Sequence, residues 1–206
     1  MKYARLFGML ALVAAASMAF VSTASATTAT DSAEGSPVEV GDVIHAVSVG
    51  NVTTHGTVTL TCKKSTFQAV VTNPGSAATT LSGHLTALTF EECGNNTISV
   101  VNKGTFEIHT DHNSPNIIDH NGTLTLTGTE ITTLSHNILG TVHCIYVTEG
   151  TYLGTIDGSA NRSNGTATIT SESPLIPYKS TDFGCGSGFE WTAHYTITTP
   201  DYLDID

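Results

Sequence analysis

The sequence has few basic residues and little charge of any kind. Seven Lys and Arg stand against 18 Asp and Glu, and charged residues make up 12% of its 206 positions. No segment combines basic side chains with interleaved aromatic residues, as nucleic-acid-binding surfaces do. An acidic chain is also repelled by nucleic acid and by anionic membrane surfaces. We therefore exclude nucleic acid as a partner.

Long apolar runs are equally scarce, and the one that is present lies at the N-terminus. Lys2 and Arg5 precede the apolar run 7–21, and small residues follow it up to Ala26. This layout is typical of a secretory signal peptide, and it predicts cleavage after Ala26. The alternative is a membrane anchor, but about 15 apolar residues fall short of the roughly 20 that span a bilayer. We expect no membrane span after cleavage of residues 1–26.

Removal of the signal peptide would make the chain more acidic. Five basic and 18 acidic residues would remain, which is a net charge of −13 with His neutral. The first part of the mature chain, residues 27–37, is small and polar and is predicted to be a flexible leader. Residues 38–206 are predicted to form a single β domain, which is secreted or attached to the cell envelope.

Helical periodicity is lacking, whereas strand signals are dense. Thr is abundant, and Gly and Asn interrupt the sequence about every ten residues. In residues 56–62, 123–127 and 191–198, apolar and polar side chains alternate, so each segment has one apolar face. These features predict an antiparallel β-sandwich or barrel of about ten to twelve strands. The strands expected are 43–49, 56–62, 66–71, 84–91, 97–101, 105–109, 123–127, 141–148, 151–156, 166–170 and 191–198.

Four cysteines support an oxidising compartment and two disulfides. Three pairings are possible, and we favour Cys62–Cys93 with Cys144–Cys185, because each pair then lies within one half of the chain. The four residues are too far apart for the usual zinc-binding spacings. Similar Thr-rich strands flank the cysteines in residues 38–120 and 121–206. The two halves are therefore either a distant duplication or a coincidence of composition.

Three segments carry a family resemblance. They are GTVTLTCKKST at 56–66, LTALTFEEC at 85–93 and WTAHYTITTPDYLDI at 191–205. Together they resemble a set of small exported proteins of actinobacteria with paired cysteines and Thr- and Gly-rich strands. The resemblance implies export and a β fold, and it implies no particular activity.

Histidine and aspartate cluster in one part of the chain. His109, Asp111 and His112 lie within four residues, and Asp119 and His120 follow after a loop. Imidazole and carboxylate groups together suit Zn, Cu or Ni. His109, Asp111, His112 and His120 are therefore a candidate metal site, and a polar loop without metal is the alternative. No other cofactor is expected.

The single tryptophan suggests a second candidate site. Trp191 and Tyr195, with the carboxylate of Glu190 beside them, could form a surface on which a sugar ring stacks. Trp191 also alternates with the apolar Ala193 and Ile197, which is typical of a core residue. The alternation and the sugar-binding hypothesis therefore predict opposite exposures for the same ring.

Two functions are compatible with these observations. The first is a non-enzymatic extracellular or cell-envelope protein that acts by binding or assembly, with a carbohydrate or another envelope protein as partner. The second is a secreted hydrolase with a dispersed site, with or without the assistance of a metal at the histidine cluster. No sequence motif supplies a catalytic residue, and we favour the first function.

Overall fold

The computed structural model describes residues 29–56, 59–76, 79–110, 120–137, 140–172, 176–177, 185 and 188–205. These residues form strands and one 3₁₀ turn, so the predicted all-β class is confirmed for this part of the chain. None of them forms a helix that is long and apolar enough to cross a membrane. The predicted signal peptide lies outside the described residues. The strands are β1 (Ala29–Thr30), β2 (Val43–Ser48), β3 (Val52–His55), β4 (Thr59–Cys62), β5 (Lys64–Ser76), β6 (Thr79–Glu91), β7 (Thr97–Asn102), β8 (Thr105–Thr110), β9 (Asn121–Thr127), β10 (Glu130–Asn137), β11 (Gly140–Val147), β12 (Thr151–Asp157), β13 (Thr168–Glu172), β14 (Ile176–Pro177), β15 (Gly188–Thr199) and β16 (Asp204–Ile205).

Eight antiparallel strands close into a barrel. Their order around the ring is β2-β5-β6-β8-β9-β12-β13-β15, and β15 closes the ring by pairing with both β13 and β2. Of the two architectures predicted from the sequence, the structure is therefore the barrel. The strand count is higher than predicted, because short strands such as β1, β14 and β16 add to those of the ring.

The remaining strands lie around the ring. The β3–β4 hairpin extends the sheet from β15, where His55 pairs with Glu190. Strands β7, β10 and β11 form a separate three-stranded sheet, and β14 pairs with the first residues of β15. The sixth and the seventh strand of the chain, although consecutive, therefore belong to different sheets.

Each half of the chain supplies four neighbouring strands of the ring. The first half supplies β2, β5, β6 and β8, and the second supplies β9, β12, β13 and β15. Each half also contains one disulfide, Cys62–Cys93 or Cys144–Cys185, which is the pairing that the sequence favoured. The disulfides close loops with sequence separations of 31 and 41 residues. In the chain-entropy model each stabilises the fold by about 4 kcal/mol relative to the reduced chain.

The interior of the barrel is filled by side chains. Phe67, Phe106, Leu126, Ile156 and Trp191 come from five different strands, and each is at least 97% buried. A ring of eight strands is narrow enough for inward-facing side chains to fill it completely. The outward positions carry mainly Thr, whose branched side chain suits a strand and whose hydroxyl remains hydrated. The alternation in the sequence therefore separates a packed interior from a hydroxyl-rich exterior.

Strand β10 was not predicted, and its burial explains why. Its inward-facing side chains are Ile131, Thr133 and Ser135, with exposed fractions of 0, 5 and 6%. Since two of these three residues are polar, the segment lacks the apolar alternation that indicates a half-buried strand. Packing of this sheet against the rest of the protein buries these hydroxyl groups, because both residues line a small pocket together with Leu60 and Phe189.

The described part of the predicted flexible leader is folded, which corrects that prediction. Ala29 and Thr30 pair with Ile205 and Asp204, and Thr30 also bridges to Pro37. The side chain of Ala29 is 1% exposed. Small polar residues near a terminus favour disorder only when no neighbouring strand is available to pair with them. Here the C-terminal strand β16 provides that partner.

Glycines allow the sheet to bend into a ring. At Gly154, where the β12–β9 register shifts, a Cβ atom would overlap the carbonyl oxygen of Thr170 on the neighbouring strand. At Gly83 it would overlap the carbonyl oxygen of Val70 and lie 2.6 Å from Cε1 of Phe106. Glycines and bulges at such positions are how antiparallel sheets turn the corners of a barrel.

We predict that Gly154→Ala lowers the free energy of unfolding by about 3 kcal/mol, because the backbone of β13 must move away from β12. The neighbouring substitution Thr155→Ala, at a half-buried position, should cost less than about 1 kcal/mol. Urea unfolding of both variants measures the difference. Equal stabilities would show that the close approach of the two strands does not constrain the barrel.

Candidate binding cleft

The structure corrects the hypothesis of a sugar-stacking surface. Trp191 is 0% exposed, and its ring packs edge-on against Phe90 at a centroid distance of 5.4 Å. Tyr195 also faces the interior, where its hydroxyl lies 2.9 Å from the hydroxyl of Ser65, and burial raises the pKa of Tyr195. Glu190 is half-buried. Neither ring presents a face to solvent, so the alternation that predicted a core residue is confirmed.

The structure places only part of the predicted metal site. His109, on β8, is exposed, and its Nε2 lies 3.5 Å from Oε2 of Glu107. His120 precedes β9 in a left-handed backbone conformation with φ of 51°. Asp111 and His112 lie outside the described residues. Among the residues that are described, no three His, Cys, Asp or Glu side chains are grouped so that they could hold a metal.

His120 has a partner that the sequence analysis missed. Its Nδ1 lies 2.6 Å from Oδ2 of Asp204, a residue that is 4% exposed. The other oxygen of Asp204 accepts a hydrogen bond of 3.3 Å from the backbone amide of Ala160. The two residues are 84 positions apart, and β16 brings Asp204 to this end of the barrel. No local pattern could have indicated the pair.

A cleft lies between β6 and β7, where two strand edges face each other without pairing. Strand β6 pairs with β5 along its whole length, but it pairs with β8 only over residues 81–84. Strand β7 pairs with β10 alone. Within the described part of the chain, the second edges of β6 beyond Leu85 and of β7 therefore have no partner strand. We call the space between them the β6–β7 cleft; it is lined by residues 86–90, residues 98–100 and Lys103, and its volume is about 390 Å³.

Neighbouring elements hold the two strands apart. The chain after β6 is tied to β4 by the Cys62–Cys93 disulfide. Strand β7 is tied to β10 through the register pairs Ile98–Thr133 and Val100–Ile131. Because β4 and β10 belong to different sheets, β6 and β7 cannot close into a regular hairpin. A hydrogen bond of 3.2 Å from the amide of Leu85 to the carbonyl of Gly104 closes one end of the cleft.

The larger apolar side chains at the cleft are mostly buried, whereas Ala87 and Val100 are half-buried. Leu88, Phe90 and Ile98 are 4, 8 and 6% exposed, so they belong to the core. The exposed side chains are polar, namely Thr86, Ser99 and Lys103. The groups that a ligand in the cleft could bind are therefore the backbone N–H donors and C=O acceptors of the two strand edges.

Lys103 differs from the other described cations. Lys63 and Lys64 form ion pairs with Glu92 and Glu91, at 2.7 and 3.6 Å, and Arg162 lies 3.5 Å from Asp157. A hydrogen bond and the charge of Glu92 raise the pKa of Lys63, and the same contact lowers the pKa of Glu92. Within the described ranges, Lys103 has no ion-pair partner. Among the described residues that line the β6–β7 cleft, Lys103 alone is charged.

We predict that Trp191 emits at the short wavelengths typical of a dry environment and is poorly quenched by acrylamide. The physical reason is its complete burial in the barrel. Fluorescence of the native protein, compared with the protein in concentrated guanidinium, measures this directly because Trp191 is the only tryptophan. Emission and quenching equal to those of the unfolded chain would contradict the closed barrel.

No family model, curated protein or solved structure matches this chain, so its geometry alone must support a proposal of function.

Proposed function

We propose that this protein is an exported, non-enzymatic binding protein that captures extended polypeptide segments at the β6–β7 cleft. The captured segment would add as a strand to the free edge of β6, of β7 or of both. The disulfides Cys62–Cys93 and Cys144–Cys185 are consistent with an oxidising location outside the cytoplasm. The signal peptide predicted at residues 1–26 also supports export.

The observation that carries this proposal is the pair of unpaired strand edges. Every strand of the ring pairs with a neighbour on each side, because β15 pairs with both β13 and β2 and closes the ring. At the cleft, β6 extends beyond β8 by about six residues, and no described strand pairs with that second edge. A free edge is a template for another strand, whose main chain supplies complementary donors and acceptors. Six residues of strand span about 20 Å, which suits a short extended segment.

We expect a capped eight-residue peptide of alternating Thr and Val to slow hydrogen exchange at the edges of the cleft. Amides in residues 86–90 and 97–101 should become protected, because those that face the cleft would then donate to the added strand. Hydrogen exchange with mass or NMR detection locates the protected amides.

The matched control is the same peptide with alternate backbone nitrogens methylated, which removes donors from one edge of the added strand. It should give little protection at the cleft. Equal protection by both peptides, or protection confined to another strand such as β4 or β11, would overturn strand addition at this cleft.

A metal-assisted hydrolase is the second candidate, and the His120–Asp204 pair favours it. A carboxylate on Nδ1 fixes the orientation of an imidazole, as in the outer shell of many metal sites. A bound metal would supply Lewis-acid activation of water. Asp204 would then act as a positioning residue for His120.

Under this second candidate, the purified protein binds Zn²⁺, and Asp204→Asn weakens the affinity about 10- to 100-fold. Titration calorimetry with zinc chloride measures the affinity. His45→Ala is the control, since His45 hydrogen-bonds Thr198 on another face of the barrel. If the unmodified protein takes up no zinc at neutral pH, the metal-assisted hydrolase is excluded.

A further inference from the structure

We infer that the segment bound in the β6–β7 cleft is acidic and that one of its carboxylates pairs with Lys103. This inference rests on the proposed function, and it specifies the partner as an extended polypeptide with Asp, Glu or a terminal carboxylate at one end of the bound stretch. Two observations support it: the position of Lys103, and the absence of other charge among the described residues that line the cleft.

Lys103 has a fixed backbone at the closed end of the cleft. Its carbonyl oxygen accepts a hydrogen bond of 2.8 Å from the hydroxyl of Thr129. The next residue, Gly104, has φ of 69°, and its carbonyl accepts the 3.2 Å hydrogen bond from Leu85 that closes this end. The ammonium group is therefore carried by an anchored backbone, and its own side chain remains exposed to solvent. A strand that filled the cleft would end beside it.

The charge of Lys103 is not cancelled locally. The other residues that line the cleft, 86–90 and 98–100, are all uncharged. Glu91, beyond the opposite end, pairs with Lys64 at 3.6 Å. Glu130 lies opposite Asn102 in the β7–β10 ladder and has contacts of its own. A carboxylate on an incoming strand would thus supply the partner that the described residues do not.

Because the protein is acidic, a preference for acidic peptides can be distinguished from an effect of its overall charge. A chain with a formal net charge of −11, or −13 after signal cleavage, attracts basic peptides at long range and repels acidic ones. A preference for an acidic segment would therefore report a local contact rather than the field of the whole molecule. Salt screens the long-range field more strongly than a close ion pair, so added salt should sharpen the preference.

The test uses three capped peptides of one alternating Thr/Val sequence, which differ only in carrying Glu, Gln or Lys at both ends. We expect the Glu peptide to bind about fivefold more tightly than the Gln peptide, the size of a good exposed ion pair. Lys103→Ala should abolish this difference, and Lys103→Glu should reverse the order so that the Lys peptide binds best. Lys64→Ala is the matched control; because Lys64 is already paired and lies outside the cleft lining, the preference should persist.

The outcomes separate this inference from the proposed function. If all three peptides bind with the same affinity and Lys103→Glu has no effect, the acidic preference is wrong and strand addition stands. If no peptide binds or protects the cleft amides, the proposed function fails with it. If the Lys peptide binds best to the unmodified protein and to both Lys103 variants, the long-range field governs binding. Competition by dodecanoate without amide protection would instead assign the cleft to a fatty acid and overturn both.

A fluorescence control checks that the substitutions leave the fold intact. Emission and acrylamide quenching of Trp191 should be the same in the unmodified protein and in each variant. Lys103 is exposed, and its side chain makes no ion pair with a described residue, so Lys103→Ala and Lys103→Glu should both fold normally.

Discussion

Closure of the barrel by β15 is the constraint on which the other features depend. This twelve-residue strand pairs with β13 and β2 to complete the ring. Its first half also pairs with the short strands β3 and β14. Its inward side chains include Trp191 and Tyr195, the two largest groups that β15 contributes to the interior. Because the ring is closed, each of its strands has a neighbour on both sides, and the inner and outer faces of every strand are fixed.

The cleft arises because the ring uses strands of unequal length. Strands β5 and β6 are 13 residues each, whereas β8 has six residues and covers only residues 81–84 of β6. The uncovered part of β6 would pair with β7 in a simple hairpin. The disulfide at Cys93 and the pairing of β7 with β10 prevent this, so stabilising contacts on both sides leave two edges that no described strand matches. Stability and the proposed binding site therefore have a common structural origin.

Some strands could be predicted from the sequence, whereas others could not. Residues 56–62, 123–127 and 191–198 were predicted as strands because apolar and polar side chains alternate with a period of two. Residues 130–137 were not predicted, since Thr133 and Ser135 occupy inward positions that alternation assigns to apolar groups. The disulfide pairing was favoured because each pair then lies within one half of the chain, and the structure has that pairing. The two cysteine pairs also follow the division of the ring into two sets of four strands.

By itself, the sequence determined the β class, the two disulfides, the acidic charge and the expectation of export, because each depends on composition or on short-range pattern. Only the tertiary structure decided whether Trp191 faces solvent or core, since that depends on closure of the ring. It alone brought Asp204 to His120 across 84 residues. It also placed Lys103 beside two strand edges that pair with no other strand of the described residues. A free edge depends on which strands pair with which, and that is a property of the whole fold that no local segment encodes.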